Sequence, residues 1–188
     1  MSTLKELTKE KHTEAESQPF IKALFKKSVD RFDYADYLYQ LHMIYYTMES
    51  LGDHLELFKG IEDLKRAPLI RKDFAELAGD RHIGVIKQST RNYIEYITKI
   101  AYEDEGKRLW PHIYVRHMGD LFGGQALKKL VPGSGKMFDF DNLIGLITEM
   151  RKRLDVSMAD EANIAFQFNI DIIKEYNGKY LGYSNESI

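Results

Sequence analysis

The chain contains no cysteine among its 188 residues, which excludes disulfide bonds, thiolate zinc sites and thiol catalysis. No stretch approaches the roughly 20 apolar residues of a membrane span, and the N-terminus lacks the apolar core of a signal peptide. A net charge of -2 at pH 7 gives no general reason to expect nucleic acid as a partner. These absences predict a soluble, cytoplasmic protein without membrane or nucleic-acid contacts, and we take a monomer as the default.

Proline is also scarce, with only four residues, and strand-like alternation between turn residues is rare. Hydrophobic residues make up 44% and charged residues 30%, a globular balance. Long patterns with a period of 3.6 residues dominate and predict an all-α fold of seven or eight helices. The pattern covers about 3–15, 20–25, 33–57, 68–79, 86–100, 112–130, 141–154 and 157–176. We therefore predict a single domain over 1–188, with an ordered core at about 3–178 and a polar C-terminal tail.

One predicted helix carries three glycines, Gly119, Gly123 and Gly124. Each costs a helix about 1 kcal/mol relative to alanine, so a reason for them is needed. Gly119 and Gly123 are four residues apart and share a face, while Gly124 lies beside that stripe. A stripe without side chains lets the backbone approach something flat, and it lets the helix bend. The alternative is close helix–helix packing or a local kink.

Asp120 lies next to this stripe, four residues after Arg116. Residues at this spacing can meet on one side of a helix. An acid beside a backbone-lined slot can order water and pass protons without filling the slot. The alternative is an ordinary surface ion pair between Asp120 and Arg116.

The first predicted helix places Lys5, Lys9 and His12 on one face, at i, i+4 and i+7. Two cations and an imidazole on one stripe suit an anionic ligand that also carries a metal, such as haem. The alternative is a solvated lysine face with an incidental histidine.

Five other histidines have weaker patterns: His42, His54, His82, His112 and His117. A di-iron carboxylate bundle needs Glu-x-x-His pairs. That site is excluded, because the residues three before each histidine are Lys9, Tyr39, Leu51, Gly79, Leu109 and Tyr114.

Together these segments resemble the haem oxygenase family. Arg116 to Gln125 is similar to the family signature Arg-Tyr-Leu-Gly-Asp-Leu-Ser-Gly-Gly-Gln and matches it at seven of ten positions. The first helix resembles the family's proximal motif at Lys5, Lys9, His12, Thr13, Ala15 and Glu16. The segment from Asp160 to Phe166, followed by Asn169, resembles the family's closing helix. The similarity spans most of the chain.

The resemblance implies a multi-helix bundle in which haem b lies between the first, proximal helix and a kinked, glycine-rich distal helix. It makes His12 the axial ligand of the haem iron. The residues implied to bind haem are His12, Lys5, Lys9, Glu16, Tyr114, Gly119, Gly123, Gly124, Phe166 and Arg151. The residues implied to act in oxygen activation through a distal water network are Asp120, Gly119, Arg116, Tyr45, Tyr93 and Asn169.

The implied reaction is the cleavage of haem to biliverdin, carbon monoxide and ferrous iron, with haem as both substrate and cofactor and molecular oxygen as co-substrate. The chain carries no flavin or nicotinamide fingerprint, so the expected electron donor is another protein such as a ferredoxin. A bilin reductase would be a downstream partner. Three residues depart from the signature: His117, Met118 and Phe122. Phe122 adds bulk near the distal helix, which bears on the expected cleavage at the α-meso carbon.

Three other interpretations stay open from the sequence. A non-catalytic haem carrier or sensor would bind haem through His12 without opening the ring. A thiaminase-like helical enzyme would not bind haem and would leave Lys5, Lys9 and His12 unexplained. A helical interaction protein would use the glycine stripe as a docking groove.

Overall fold

The computed structural model describes residues 3–81 and 84–184, so His82 lies outside the described residues. Within those ranges the chain forms nine α-helices and no strand, which confirms the predicted all-α class. The α-helices are α1 (Leu4–Leu7), α2 (Lys9–Glu16), α3 (Pro19–Phe25), α4 (Arg31–His54), α5 (Ala67–Ala78), α6 (Gln88–Glu103), α7 (Leu109–Leu127), α8 (Leu143–Lys152) and α9 (Ala159–Asn177). Short 3₁₀ turns lie at Glu62–Leu64, Lys136–Phe138, Val156–Met158 and Leu181–Tyr183.

The predicted first helix is two helices, and this accounts for the ninth. Its start is as expected, because Thr3 and Glu6 form a reciprocal capping box. The helix is interrupted at Thr8, whose backbone has φ -106° and ψ 1°. The Thr8 hydroxyl donates a 3.0 Å hydrogen bond to the carbonyl of Leu4. Threonine bonded back to the preceding turn in this way bends helices, and the apolar period alone did not predict the break.

The long helices follow their sequence signals with small shifts of their ends. Asp30 caps α4 by accepting hydrogen bonds from the amides of Phe32 and Asp33. Pro111 lies in the first turn of α7, where its missing N–H is harmless. Helix α7 runs without interruption through Gly119 and Gly123 to Leu127, so the predicted kink is not a break in the helix.

The core of the described part of the chain consists of one large apolar cluster and a smaller one. The smaller cluster lies where α1, α7 and α9 meet and contains Leu4, Val115, Ala162, Ala165 and Phe166. Helix α9 packs against both α2 and α7, while α4 packs against α5 and α6. The closing helix therefore contacts both of the segments that the sequence singled out. None of the helices in the described ranges is both long and apolar enough to cross a membrane.

Candidate functional site

Helix α9 connects the proximal segment to the glycine-rich helix through two residues less than one turn apart. The ring of Phe166 lies edge-on to the ring of His12 on α2, with centroids 5.7 Å apart. Three residues later, the side-chain oxygen of Asn169 accepts a 2.8 Å hydrogen bond from Nη1 of Arg116 on α7. The predicted iron ligand and the predicted distal residues are thus brought to the same region of the bundle.

His12 is an accessible imidazole. Its side chain is 54% exposed, and Nδ1 lies 3.4 Å from a carboxylate oxygen of Glu16, one turn later. Lys5 and Lys9 are exposed as well. By contrast, Lys11 donates hydrogen bonds to Glu14 and to Gln167 of α9. The lysine that attaches α2 to the bundle is therefore different from the two that were predicted to bind a ligand.

The three glycines of α7 fall into two groups. At Gly119 and Gly123, an added Cβ atom would meet nothing within 4 Å in the described chain, so both positions border open space. At Gly124, an added Cβ would lie 2.5 Å from Cδ1 of Phe138. Each helical residue is rotated by about 100° from the previous one, so Gly124 lies on a different side of α7 from Gly123. On that side it is buried against the Phe138 ring. Gly119 and Gly123 therefore border open space, whereas Gly124, which was expected to face the same side, is buried against Phe138.

Asp120 is buried and is held by a residue from another helix. The hydroxyl of Tyr45 on α4 donates a 2.7 Å hydrogen bond to Oδ2 of Asp120. Burial raises the pKa of Asp120 to about 6, against the opposing effects of the charges of His117 and Arg116 and of the Tyr45 hydrogen bond. Asp120 and Arg116 are only 8% and 6% exposed, which contradicts the alternative of a surface ion pair.

The buried guanidinium of Arg116 uses only part of its N–H groups in hydrogen bonds of good geometry. Its guanidinium carbon lies 5.3 Å from the centre of the Tyr93 ring, and Nη1 is bound to Asn169. Both Nε and Nη2 are buried and make no hydrogen bond of good geometry among the described residues. The hydroxyls of Tyr93 and Tyr37 are the nearby acceptors, because Arg116 lowers the pKa of each against the larger effect of burial. Unpaired buried donors are uncommon in native proteins and indicate a missing partner such as bound water or a ligand.

The remaining predicted residues differ in their surroundings. Tyr93 is fully buried, and burial raises its pKa to about 12. Tyr114 is partly buried and packs against both apolar clusters. Arg151 on α8 is exposed and lies over the ring of Phe122, 5.5 Å from its centre. Phe122 is 54% exposed, so this bulky side chain extends outward from α7 toward α8 and is not part of the core.

The sequence did not predict a buried carboxylate next to this site. Glu49 on α4 accepts hydrogen bonds from the backbone amides of Arg66 and Ala67, at 2.6 and 3.1 Å. It also lies 3.1 Å from Nε2 of His117. The His117 ring packs against Tyr45, with centroids 5.0 Å apart. No spacing in the sequence signals this group, because Glu49 and His117 are 68 residues apart.

A second buried histidine was also missed. His112 lies between Tyr93 and Glu161, at 2.9 and 3.1 Å. In the sequence, its position directly after Pro111 indicates only the start of a helix. The only available signal was its spacing of four residues from Arg116 on the same helix.

Known proteins share both the sequence pattern and the architecture. Residues 1–139 match the family model described as "Heme oxygenase". Heme oxygenase 1 of Bos taurus is 30% identical and aligns over 93% of this chain and 70% of its own length. The heme oxygenase of Guillardia theta is 31% identical, over 95% and 86%.

Solved structures agree with these relatives. The heme oxygenase of Leptospira interrogans superposes with a TM-score of 0.79 at 26% identity, covering 92% of this chain and 97% of that one. Heme oxygenase-1 of the cyanobacterium Synechocystis, solved in complex with heme, has a TM-score of 0.82 at 24% identity, covering 95% and 92%. At that identity the likeness concerns the fold alone. With a family match over most of its length and a relative above 30% identity, the chain belongs to the haem oxygenase family.

Proposed function

We propose that the protein cleaves haem to biliverdin, carbon monoxide and ferrous iron, using molecular oxygen and electrons supplied by another protein. Family membership supports the reaction class. The observation that carries the proposal for this chain is the buried Asp120 carboxyl group directly after Gly119, whose Cα borders open space. A carrier needs room for haem, but it does not need a buried acid at the edge of that room.

The residues present fit haem on both sides of a slot. On the proximal side, Glu16 lies near Nδ1 of His12, so we expect Nε2 to bind the iron, with the carboxylate orienting the ring. Lys5 and Lys9 would pair with the propionates. On the distal side, Gly119 and Gly123 leave space for a flat ligand.

When bound, haem supplies the iron at which oxygen is reduced, and it is also the molecule that is cleaved. The role of the chain is to hold water and protons beside it. Asp120 has a pKa of about 6, close enough to neutrality for a carboxyl group to accept and release a proton in each cycle. Tyr45 fixes the position of that carboxyl group. The unpaired nitrogens of Arg116 are suited to binding water in the same network.

Several finer assignments belong to the same proposal and rest on the resemblance. We propose haem b as the natural form and a ferredoxin-type protein as electron donor, with a bilin reductase as a consumer of the product. We also propose that the protein acts as a monomer in the cytoplasm. Arg151 is proposed to bind a propionate after leaving its contact with Phe122.

A spectroscopic titration tests the proposal. Purified protein is mixed with haemin, the Soret band is recorded, and a ferredoxin with its reductase is added under air. We expect the Soret band to decay and bilin absorption to appear. A Soret band that persists under reduction would identify a haem carrier, and the absence of any band would support a protein that does not bind haem. The variant His54→Ala, at the exposed end of α4, is the control for general effects of removing a histidine.

A further inference from the structure

Three side chains form a continuous hydrogen-bonded series behind the candidate site. The hydroxyl of Tyr93 lies 2.9 Å from Nδ1 of His112. On the other side of the ring, Nε2 of His112 lies 3.1 Å from Oε1 of Glu161 on α9. Tyr93 and His112 are both fully buried. The series begins at Tyr93, over whose ring the guanidinium of Arg116 lies. It ends at the carboxylate of Glu161, whose side chain is 13% exposed.

The Glu161 end of the series is a strong acceptor. Tyr96 donates to Oε1 of Glu161 at 2.6 Å, and Nε of Arg108 donates to Oε2 at 2.8 Å. Although burial opposes it, these hydrogen bonds and the one from His112 lower the pKa of Glu161 to about 2. An ionised carboxylate can only accept hydrogen bonds.

The direction of every hydrogen in the series follows from that carboxylate. Since Glu161 only accepts, Nε2 of His112 carries a hydrogen and donates it. Burial lowers the pKa of His112, against the effect of Glu161, so the ring is neutral and Nδ1 carries no hydrogen. Nδ1 must therefore accept the single hydroxyl hydrogen of Tyr93. The lone pairs of the Tyr93 oxygen are left for other donors.

This direction matters because the neighbour of Tyr93 on the site side is a guanidinium. Arg116 has only donors, and its Nε and Nη2 make no hydrogen bond of good geometry among the described residues. The Tyr93 hydroxyl is close enough for Arg116 to lower the pKa of Tyr93 by hydrogen bonding, against the larger effect of burial. A Tyr93 hydroxyl that pointed its hydrogen toward Arg116 would oppose that charge. A hydroxyl turned toward His112 presents an acceptor to Arg116 or to a water bound by it.

We propose that Glu161 and His112 are positioning residues, which fix the Tyr93 hydroxyl as a hydrogen-bond acceptor toward Arg116 and the water of the candidate site. The arrangement is a carboxylate–imidazole–phenol triad in which the acid sets the imidazole tautomer and the tautomer sets the hydroxyl. Neither Glu161 nor His112 contacts haem in this proposal. Only the activity part of its test rests on the proposed function.

The tautomer of His112 tests the proposal directly and without haem. Nitrogen-15 NMR of the ligand-free protein distinguishes a ring protonated at Nε2 from one protonated at Nδ1. We expect the Nε2–H form in the unmodified protein and a mixture of both forms in Glu161→Gln, because an amide both donates and accepts. The control Glu103→Gln removes a carboxylate that also binds Arg108, at 2.9 Å, and should leave the tautomer unchanged. An Nδ1–H ring in the unmodified protein would overturn the proposal.

Turnover provides the second measurement. We expect Glu161→Gln to lower the rate of haem opening about tenfold, as for other groups that orient a functional side chain, while the Kd for haemin stays unchanged. Glu103→Gln should change neither quantity. Equal rates in Glu161→Gln and the unmodified protein would also overturn the positioning role. If the unmodified protein opens no haem, the proposed function fails, and the NMR result still decides the direction of the Tyr93 hydroxyl.

Discussion

The hydroxyl of Tyr45 donates a 2.7 Å hydrogen bond to the carboxylate of Asp120, across the interior between α4 and α7. Both side chains are buried. The acid that follows Gly119 is therefore held in place by a residue 75 positions earlier in the chain. Burial raises its pKa to about 6, while the Tyr45 hydrogen bond that fixes its position acts in the opposite direction.

The first prediction separates haem binding from haem opening. Asp120→Asn preserves size and can still bond to Tyr45, but it cannot accept and release a proton near neutral pH. We expect the Kd for haemin to change less than about twofold and ring opening to slow about 100-fold or more. Soret titration and bilin yield measure the two quantities. Asp141→Asn, at an exposed position, should behave like the unmodified protein. A normal bilin yield from Asp120→Asn would refute the proposed proton role.

The same variant predicts a pH dependence of stability. The folded pKa of Asp120, about 6, lies above its ordinary value of 3.8. Folding therefore favours the neutral acid. The resulting contribution to the free energy of unfolding is fully present below about pH 3.8 and is lost as the pH rises through 6. The amide introduced by Asp120→Asn does not titrate. The unfolding free energy of the variant minus that of the unmodified protein should therefore rise by about 2–3 kcal/mol when the pH is raised from about 3.5 to 8. Urea unfolding at several pH values measures it, and a difference that is constant with pH would contradict the burial of the charge.

Substitutions at two glycines of α7 should have opposite effects, since one should change function without loss of stability and the other stability without a change of product. Gly119→Leu places a side chain in open space and should keep or raise the unfolding free energy, since leucine favours helix by about 1 kcal/mol over glycine. It should also slow haem opening or change which bilin isomer forms. Gly124→Ala pushes Cβ to 2.5 Å from the buried ring of Phe138 and should cost about 1–3 kcal/mol, with the same bilin isomer.

Thermal unfolding and chromatography of the bilin isomers measure these effects. If Gly119→Leu leaves both the rate and the isomer unchanged, the open glycines do not border the haem. If Gly124→Ala costs no stability, Phe138 is free to move.

The sequence predicted the helices because each apolar period of 3.6 residues corresponds to one buried face. It did not predict the division at Thr8, where a single hydroxyl competes for the Leu4 carbonyl. It also could not separate Gly124 from Gly119 and Gly123. Which side of a glycine-rich helix is covered depends on Phe138, a residue outside the helix.

For the site, the sequence grouped Lys9 with His12, which lie three residues apart on α2, but it placed Lys5 on the same helix, whereas Lys5 lies on α1, before the interruption at Thr8. It did not predict the buried partners that join helices. Glu161 and His112 are 49 residues apart, and neither the spacing nor the composition of the intervening chain indicates their contact. Such pairs are created by tertiary packing, which single-sequence periodicity does not contain.

Glu49 provides a prediction about stability alone. Its carboxylate accepts from the first amides of α5 and lies next to His117. In Glu49→Gln, the NH₂ group can donate to Nε2 of His117 only from the place of Oε1, which accepts from the Arg66 amide. In the other orientation it faces the amide of Ala67, so either orientation weakens an acceptor at the start of α5. We expect a loss of about 2–4 kcal/mol, measured by urea unfolding. The exposed variant Glu10→Gln should lose less than about 0.5 kcal/mol. Equal stability of the two variants would show that α5 does not depend on this cap.

His12 provides the last prediction, because its exposure separates ligation from folding. The side chain is 54% exposed, so His12→Ala should change the unfolding free energy by less than about 0.5 kcal/mol. The same change should remove the histidine-ligated Soret spectrum and haem opening, while His54→Ala keeps both. Free imidazole should restore the spectrum, since the truncated side chain leaves an accessible space beside Phe166. A Soret band and a rate equal to those of the unmodified protein would place the iron ligand on another residue and would leave Lys5 and Lys9 as an ordinary solvated face.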